Sequence, residues 1–150
     1  YTFRTIADYQ FGAGAGRALF PESDRDSLAV ERSRSGRPRQ VHAGGDRLVT
    51  YLTHGRFTLG LEGGRRLHGA LSHPTSRVTV DVESEPYVAA GRNAFAKFVL
   101  DVDETIRPRD EVLVVHDGRL LAVGRAELSA AAMRDFETGM AVRVRAGVEG

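Results

Sequence analysis

Cysteine is absent from this 150-residue chain, and lysine occurs once, at Lys97. The missing cysteines exclude disulfides, a thiol nucleophile, iron–sulfur clusters and thiolate zinc sites. No apolar run approaches the ~20 residues that a membrane-spanning helix needs. No secretory signal is visible near Tyr1. The expectation is a cytoplasmic protein that does not engage a membrane.

Apolar residues make up 41% of the chain, enough for one compact domain or two small ones. The net charge of +1 hides an asymmetry. Residues 1–76 carry eleven arginines against seven acids, a balance of +4, and residues 77–150 carry nine arginines and Lys97 against thirteen acids, a balance of −3. Near-exclusive use of arginine has a compositional explanation, so only clustering speaks for function. Arg32, Arg34, Arg37, Arg39 and Arg47 do cluster, within sixteen residues. Guanidinium groups hold phosphate through paired hydrogen bonds and also stack on bases. The stretch Glu31–Arg39 reads as a strand entering a turn at Ser35-Gly36, with Arg32 and Arg34 on one face. Two readings stand: a phosphate-binding patch, or a solvated turn flanked by arginines.

Hydrophobic spacing predicts a helix over Thr2–Leu19, stopped by Pro21, with Phe3, Ile6, Ala7, Gln10 and Phe11 on its inner side. Short strands follow at 28–34, 38–42, 48–53 and 57–61, separated by turns at Gly36, Gly44-Gly45 and His54-Gly55. A helix over 61–71 places Leu61, Leu67 and Leu71 inward. His73-Pro74 then marks a boundary between residues 1–76 and 77–150. Beyond it come a strand at 77–82, a short helix at 85–90 and a strand at 94–101. Strands at 111–116 and 120–127 are joined by the tight turn Asp117-Gly118. A helix at 130–137 has Ser129 as N-cap and Gly139 as its stop, before a last strand at 141–145. Many short strands, tight turns and few helices predict an α+β chain with a small mixed β barrel.

Catalytic motifs fail on inspection. Gly12-Ala-Gly14-Ala-Gly16 lacks the third glycine of a dinucleotide loop, since position 17 is Arg17, and no buried strand precedes it. Gly12 and Gly16 instead lie one helical turn apart, where they let another segment pack closely. Asp101-Val-Asp103-Glu-Thr105 follows a hydrophobic strand, as in aspartyl-phosphate phosphatases, in which one carboxylate attacks phosphorus and the other transfers a proton. Those enzymes need a parallel sheet and a downstream lysine, and no lysine follows Thr105. The five histidines, His42, His54, His68, His73 and His116, have no metal-ligand spacing. No Gly-x-Ser-x-Gly elbow occurs. The expectation is a non-enzyme with no cofactor and no metal.

Residues 91–127 carry a resemblance. Gly91-Arg-Asn-Ala-Phe-Ala-Lys-Phe-Val-Leu-Asp-Val-Asp103, Ile106-Arg-Pro-Arg-Asp-Glu-Val-Leu-Val-Val115 and Leu120-Leu-Ala-Val-Gly-Arg-Ala-Glu-Leu-Ser129 resemble the PUA domain, found in pseudouridine synthases and archaeosine transglycosylases. The pattern is similar to the archaeal branch: the C-terminal region of archaeosine tRNA-guanine transglycosylase and archaeosine synthase, where a small α+β module precedes the PUA domain. For residues 1–76 the resemblance rests on module order and on Asp8-Tyr-Gln-Phe-Gly12. The large catalytic barrel of those enzymes has no counterpart here. Phe98 stands where many PUA domains have glycine, and Arg109 stands within the turn usually written Arg-Pro-Gly-Asp.

The resemblance implies a small N-terminal α+β module ahead of a mixed β pseudo-barrel. It also implies an RNA-binding domain at 77–150, with RNA in a groove between the first helix and the following strand, often at a tRNA acceptor end. Carried over by position, Gly91, Arg92, Asn93, Ala94, Phe95, Ala96 and Lys97 form the groove wall, joined by Gly124 and Arg125 from a neighbouring strand. Gly91 and Asn93 tolerate unusual backbone angles, which would leave amides free for phosphate. Phe95 reads as core, because it begins a buried strand. Arg143 and Arg145 alternate to one face of the last strand and extend the surface. The function expected is non-catalytic binding of tRNA or rRNA in support of RNA modification, helped by the cluster Arg32, Arg34, Arg37 and Arg39. Two alternatives stay open: a protein-interaction subunit of a tRNA-modifying enzyme with no direct RNA contact, and a non-catalytic piece of a transglycosylase-like enzyme.

Overall fold

The computed structural model describes residues 2–22, 28–32, 39–52 and 54–150, with the side chains of Thr2 and Arg32 left aside. The expected turn at Ser35-Gly36, together with Arg34 and Arg37, lies outside the described residues. The chain divides into two compact units, residues 1–72 and 73–150.

The first unit is α1 (Thr2–Phe11), α2 (Ala15–Leu19), β1 (Leu28–Arg32), β2 (Arg39–Ala43), β3 (Asp46–Tyr51), β4 (Phe57–Leu59) and α3 (Leu61–Ala70). The strands form an antiparallel sheet in sequence order. The expected single helix over 2–19 is in fact two. Gly12 and Gly14 adopt φ of 110° and 93°, which no α-helix accommodates, so the chain turns there and restarts at Ala15. The glycine spacing does serve close packing, but through Gly16 alone: a Cβ there would stand 2.4 Å from the Arg4 carbonyl oxygen. Asp8 Oδ1 accepts from the Gly16 amide at 2.7 Å and fastens the two helices. Phe3, Phe20, Tyr51 and Phe57 cluster with ring centroids 5.4–6.0 Å apart. Helix α3 buries Leu67 as expected, but Leu61 and Leu71 are only half-buried. Its tight contact is Gly63, where a Cβ would meet the Leu48 carbonyl oxygen at 2.0 Å.

The second unit is β5 (Arg77–Val80), α4 (Glu85–Ala89), β6 (Ala94–Phe95), a 3-10 turn (Ala96–Phe98), β7 (Val99–Val102), β8 (Glu111–His116), β9 (Arg119–Ala126), α5 (Ala130–Asp135) and β10 (Met140–Gly147). Its sheet runs β6-β10-β9-β8-β5-β7, antiparallel except for the parallel pair β5–β8, a nearly closed barrel-like arrangement. The chain is therefore α+β, as its pattern of elements predicts. The core holds Val78, Val80, Val88, Val112, Val114, Leu121, Met133 and Val142. Asp117 and Gly118, at φ of 51° and 76°, make the β8–β9 hairpin turn. Ser129 Oγ caps α5 by accepting from the Ala132 amide at 3.2 Å. The strand expected over 94–101 is interrupted by the 3-10 turn. β6 is thus only two residues long, and β7 pairs with β5 on the other edge of the sheet. Among the described residues no helix is long and apolar enough to cross a membrane.

Candidate nucleic-acid interface

The segment 81–98 builds a cavity of about 600 Å³ on the second unit. The turn leading into it is held by Asp81, whose Oδ1 accepts from the Ser84 amide at 3.0 Å. Helix α4 follows and ends after one and a half turns. Gly91, at φ 103°, reverses the chain, the Gly91 amide donates to the Val88 carbonyl and the Arg92 amide to that of Tyr87, each at 2.9 Å. This is a Schellman cap. Glycine is required at position 91 for its left-handed backbone, but the two amides close the helix and are engaged there. The sequence expectation that they stay available for phosphate is corrected by these bonds.

Asn93 keeps an ordinary negative φ, against the expectation, and contributes through its side chain. Its Oδ1 accepts from the Val144 amide at 2.9 Å, tying the loop to β10. The α4 terminus approaches the end of the same strand so closely that a Cβ on Gly147 would lie 2.3 Å from the Ala89 carbonyl oxygen. Ala94 then points into the core with no exposure, and alternation turns Phe95 outward, where it is 44% exposed. Placing Phe95 in the core was therefore wrong. In a two-residue strand one side chain must face out, and the small Ala94 is the one that fits beneath. Ala96 is buried, and its amide donates to the Gly139 carbonyl at 2.9 Å.

The cavity is lined by Val82, Glu83, Ser84, Pro86, Tyr87, Arg92, Asn93, Phe95 and Phe98. Of the residues expected in a groove wall, it brings together Arg92, Asn93 and Phe95. Ala94 and Ala96 lie beneath, as core. Lys97 is exposed beside it, with Nζ 4.9 Å from the centre of the Phe98 ring. Sequence reasoning passed over Tyr87, which is 59% exposed. The signal for it is weak: a single aromatic in a five-residue helix, next to the buried pair Val88-Ala89. The wall is thus three aromatic rings with Arg92, and Glu83 is its one acidic member.

Gly124 and Arg125 do not line this cavity. Gly124 is buried where β9 meets β10, and a Cβ on it would come within 2.4 Å of the Arg143 carbonyl oxygen. Arg125 sits in register with Glu111 on β8 and Arg143 on β10 and donates to Glu127 at 2.9 Å. Arg145 forms a two-pronged pair with the buried Glu111, at 2.6 and 2.9 Å. These charges are largely compensated within the sheet. Arg109, in the turn that usually holds glycine, adopts φ 77°, which explains the glycine usual there.

In the first unit, register places Arg32 directly opposite Arg39 across β1 and β2. Arg47 Nη1 donates to Thr50 Oγ1 at 3.1 Å.

The carboxylates of the phosphatase-like stretch hold local structure. Asp103 Oδ2 accepts from the Ser76 amide at 2.7 Å, and Oδ1 accepts from the Thr105 amide and hydroxyl at 3.0 and 2.9 Å. Partial burial pushes the Asp103 carboxyl upward, but these bonds together outweigh it and hold it below its ordinary value. Asp101 is exposed and faces His73 and Arg134. Among the described residues no cluster of three His, Asp or Glu side chains could hold a metal.

Comparison with known proteins follows the same division. Residues 2–74 match the patch-forming domain C2 of tRNA-guanine transglycosylase, and residues 76–148 match the PUA domain. The chain is 46% identical over 146 residues to the tRNA-guanine(15) transglycosylase of Thermococcus kodakarensis, covering 96% of this chain and 24% of that protein. It is 49% identical over 146 residues to that of Pyrococcus furiosus, with the same coverages. It spans about a quarter of the length of these curated relatives and corresponds to their C-terminal region. Among solved structures it superposes on a hypothetical protein of Pyrococcus horikoshii OT3 with TM-score 0.75 at 22% identity, covering 99% of this chain and 89% of the other. A conserved PUA domain protein from Thermoplasma acidophilum gives TM-score 0.59 at 26% identity, covering 80% and 75%. These likenesses speak to the fold.

Proposed function

We propose that this chain, a patch-forming C2 domain of tRNA-guanine transglycosylase followed by a PUA domain, is a non-catalytic RNA-binding protein that serves RNA modification, with tRNA as its ligand. The observation that carries this reading is the cavity of the second unit, where Tyr87, Phe95 and Phe98 present rings beside Arg92 and Lys97. Rings accept any unpaired base by stacking, and the cations hold the backbone between bases. A double helix keeps its bases stacked on one another and offers such a wall only phosphates. The ligand is therefore an RNA with unpaired nucleotides, and the PUA match is the ground for taking these as a tRNA 3′ end. The arginines Arg32, Arg34, Arg37 and Arg39, clustered in the sequence, add contacts to phosphate regardless of base sequence. The relatives' activity supports a tRNA-modifying enzyme as the partner that such binding would assist.

A salt titration of binding to a tRNA transcript, with and without its terminal unpaired nucleotides, tests the proposal. Replacing Arg32, Arg34, Arg37 and Arg39 by alanine weakens both RNAs alike, and flattens the salt dependence by roughly one unit of slope for each duplex phosphate no longer neutralised. Arg92→Ala acts mainly on the end-bearing transcript, and Glu83→Gln strengthens its binding by removing the one acidic group from the wall. No binding of either RNA at low salt would overturn the reading and leave the protein-partner alternative. Equal binding with and without the unpaired end would retain RNA binding but remove the end-recognition.

A further inference from the structure

The motif Asp8-Tyr-Gln-Phe-Gly12 in the first unit is accounted for at four of its five positions. Asp8 holds the Gly16 amide. Gln10 behaves like an extra strand edge: its Nε2 donates to the Phe57 carbonyl and its Oε1 accepts from the Phe57 amide, both at 2.8 Å. Phe11 is buried, and Gly12 turns the chain at φ 110°. Only Tyr9 has no structural task among these contacts. It is 92% exposed, the most exposed large apolar side chain described.

This tyrosine does not hang from a loose element. The residues on both sides of it anchor α1, to α2 through Asp8 and to β4 through Gln10. Its ring also overlooks a cavity of about 420 Å³ lined by Thr5, Ile6, Tyr9, Gln10, Gly55 and Arg56. The lining contains no acid. Arg56 is exposed at the mouth, in the turn that Gly55 makes at φ 87°. A ring carried on an anchored helix, an apolar neighbour and an adjacent guanidinium form a platform for one planar base and its phosphate. The surrounding sequence, residues 1–76, has the positive balance that a polyanion requires.

The geometry points to a second nucleotide site on the first unit, in which an unpaired base stacks on Tyr9 and its phosphate pairs with Arg56. The inference rests on the RNA-binding reading but not on the cavity of the second unit. A protein partner would find few anchors here, since one ring and one guanidinium are a small hot spot. Unpaired RNA needs no more than that at each base.

The experiment uses the full chain with two fluorescent probes, a single-stranded oligouridine and an RNA duplex of equal length, and compares wild type with Tyr9→Ala, Tyr9→Phe and Arg56→Ala. Tyr9→Ala weakens oligouridine binding roughly five- to a hundredfold and leaves duplex binding within a factor of two. Tyr9→Phe retains the ring and the affinity. Arg56→Ala flattens the salt dependence for the single strand by about 0.7 of a unit. With 5-bromouridine in the oligomer, photocrosslinking attaches to Tyr9. Oligouridine affinity unchanged in Tyr9→Ala, or lost equally in Tyr9→Phe, overturns the site. If wild type binds RNA and only Arg92→Ala and Phe95→Ala weaken it, this site fails while the proposed function stands. If wild type binds neither probe nor tRNA, both fail.

Discussion

Asn93 Oδ1 accepts a hydrogen bond from the Val144 amide, 51 residues away in sequence, at 2.9 Å. The bond connects the loop that carries Arg92 to β10, so the position of that guanidinium depends on a neutral side chain. Asn93→Ala leaves the Val144 amide without its partner and destabilises the fold by about 1–2 kcal/mol. Asn93→Asp retains the acceptor and recovers most of that loss. Denaturant titration of the three proteins measures the difference, and full stability in Asn93→Ala would refute the role.

Phe95 separates a platform from a core residue cleanly. A buried phenylalanine costs about 3–5 kcal/mol when cut to alanine. With the ring 44% exposed, Phe95→Ala is expected to lose about 1 kcal/mol or less while weakening binding of the unpaired RNA end. A large fall in melting temperature would return Phe95 to the core.

The Glu111–Arg145 pair predicts the opposite balance. Glu111 is buried, and Arg145 supplies two charged hydrogen bonds to it. Arg145→Ala removes both and is expected to cost roughly 2–3 kcal/mol. Combining it with Glu111→Gln recovers part of the loss, since the carboxylate charge goes too. RNA affinity, corrected for unfolded protein, stays within a factor of two, because this guanidinium is already engaged.

Asp103 makes stability depend on acid. Its folded pKa lies below the ordinary carboxylate value, so its contribution is complete above that ordinary value. The contribution declines as pH falls toward the lowered folded value and is gone below it. The stability gap between wild type and Asp103→Asn therefore narrows on acidification from pH 7. Urea melts across the acid range check this, and a gap that widens contradicts it. The same bonds leave Asp103 poorly placed as a proton donor, so no magnesium-dependent hydrolysis of p-nitrophenyl phosphate is expected. Hydrolysis abolished by Asp101→Asn would contradict that.

The turns and caps were legible in the sequence because their requirements are local. Gly44-Gly45 and Asp117-Gly118 have positive φ at both positions, and Ser129 reaches an amide three residues on. The PUA-like order of strands was legible for a related reason: buried valine-rich runs alternate with turn residues whatever lies across from them. Even the break at Gly12 and Gly14 was written locally, although helical spacing on both sides of it masked the turn.

What only the tertiary structure decided is which side of a short element is covered, and by whom. Periodicity over Ala94–Phe95 is compatible with either residue facing in, and the approach of β10 selects Ala94. Nothing near Asn93 in sequence names Val144 as its donor, and nothing near Arg145 names Glu111, 34 residues away, as its acceptor. Helical spacing already sets Tyr9 opposite the buried Ala7 and Phe11, but only the lock of Gln10 onto β4 fixes what lies beside its ring. Binding surfaces depend on what remains uncovered after such long-range contacts form. One strand's pattern cannot report that, because burial is a property of the partner as much as of the residue.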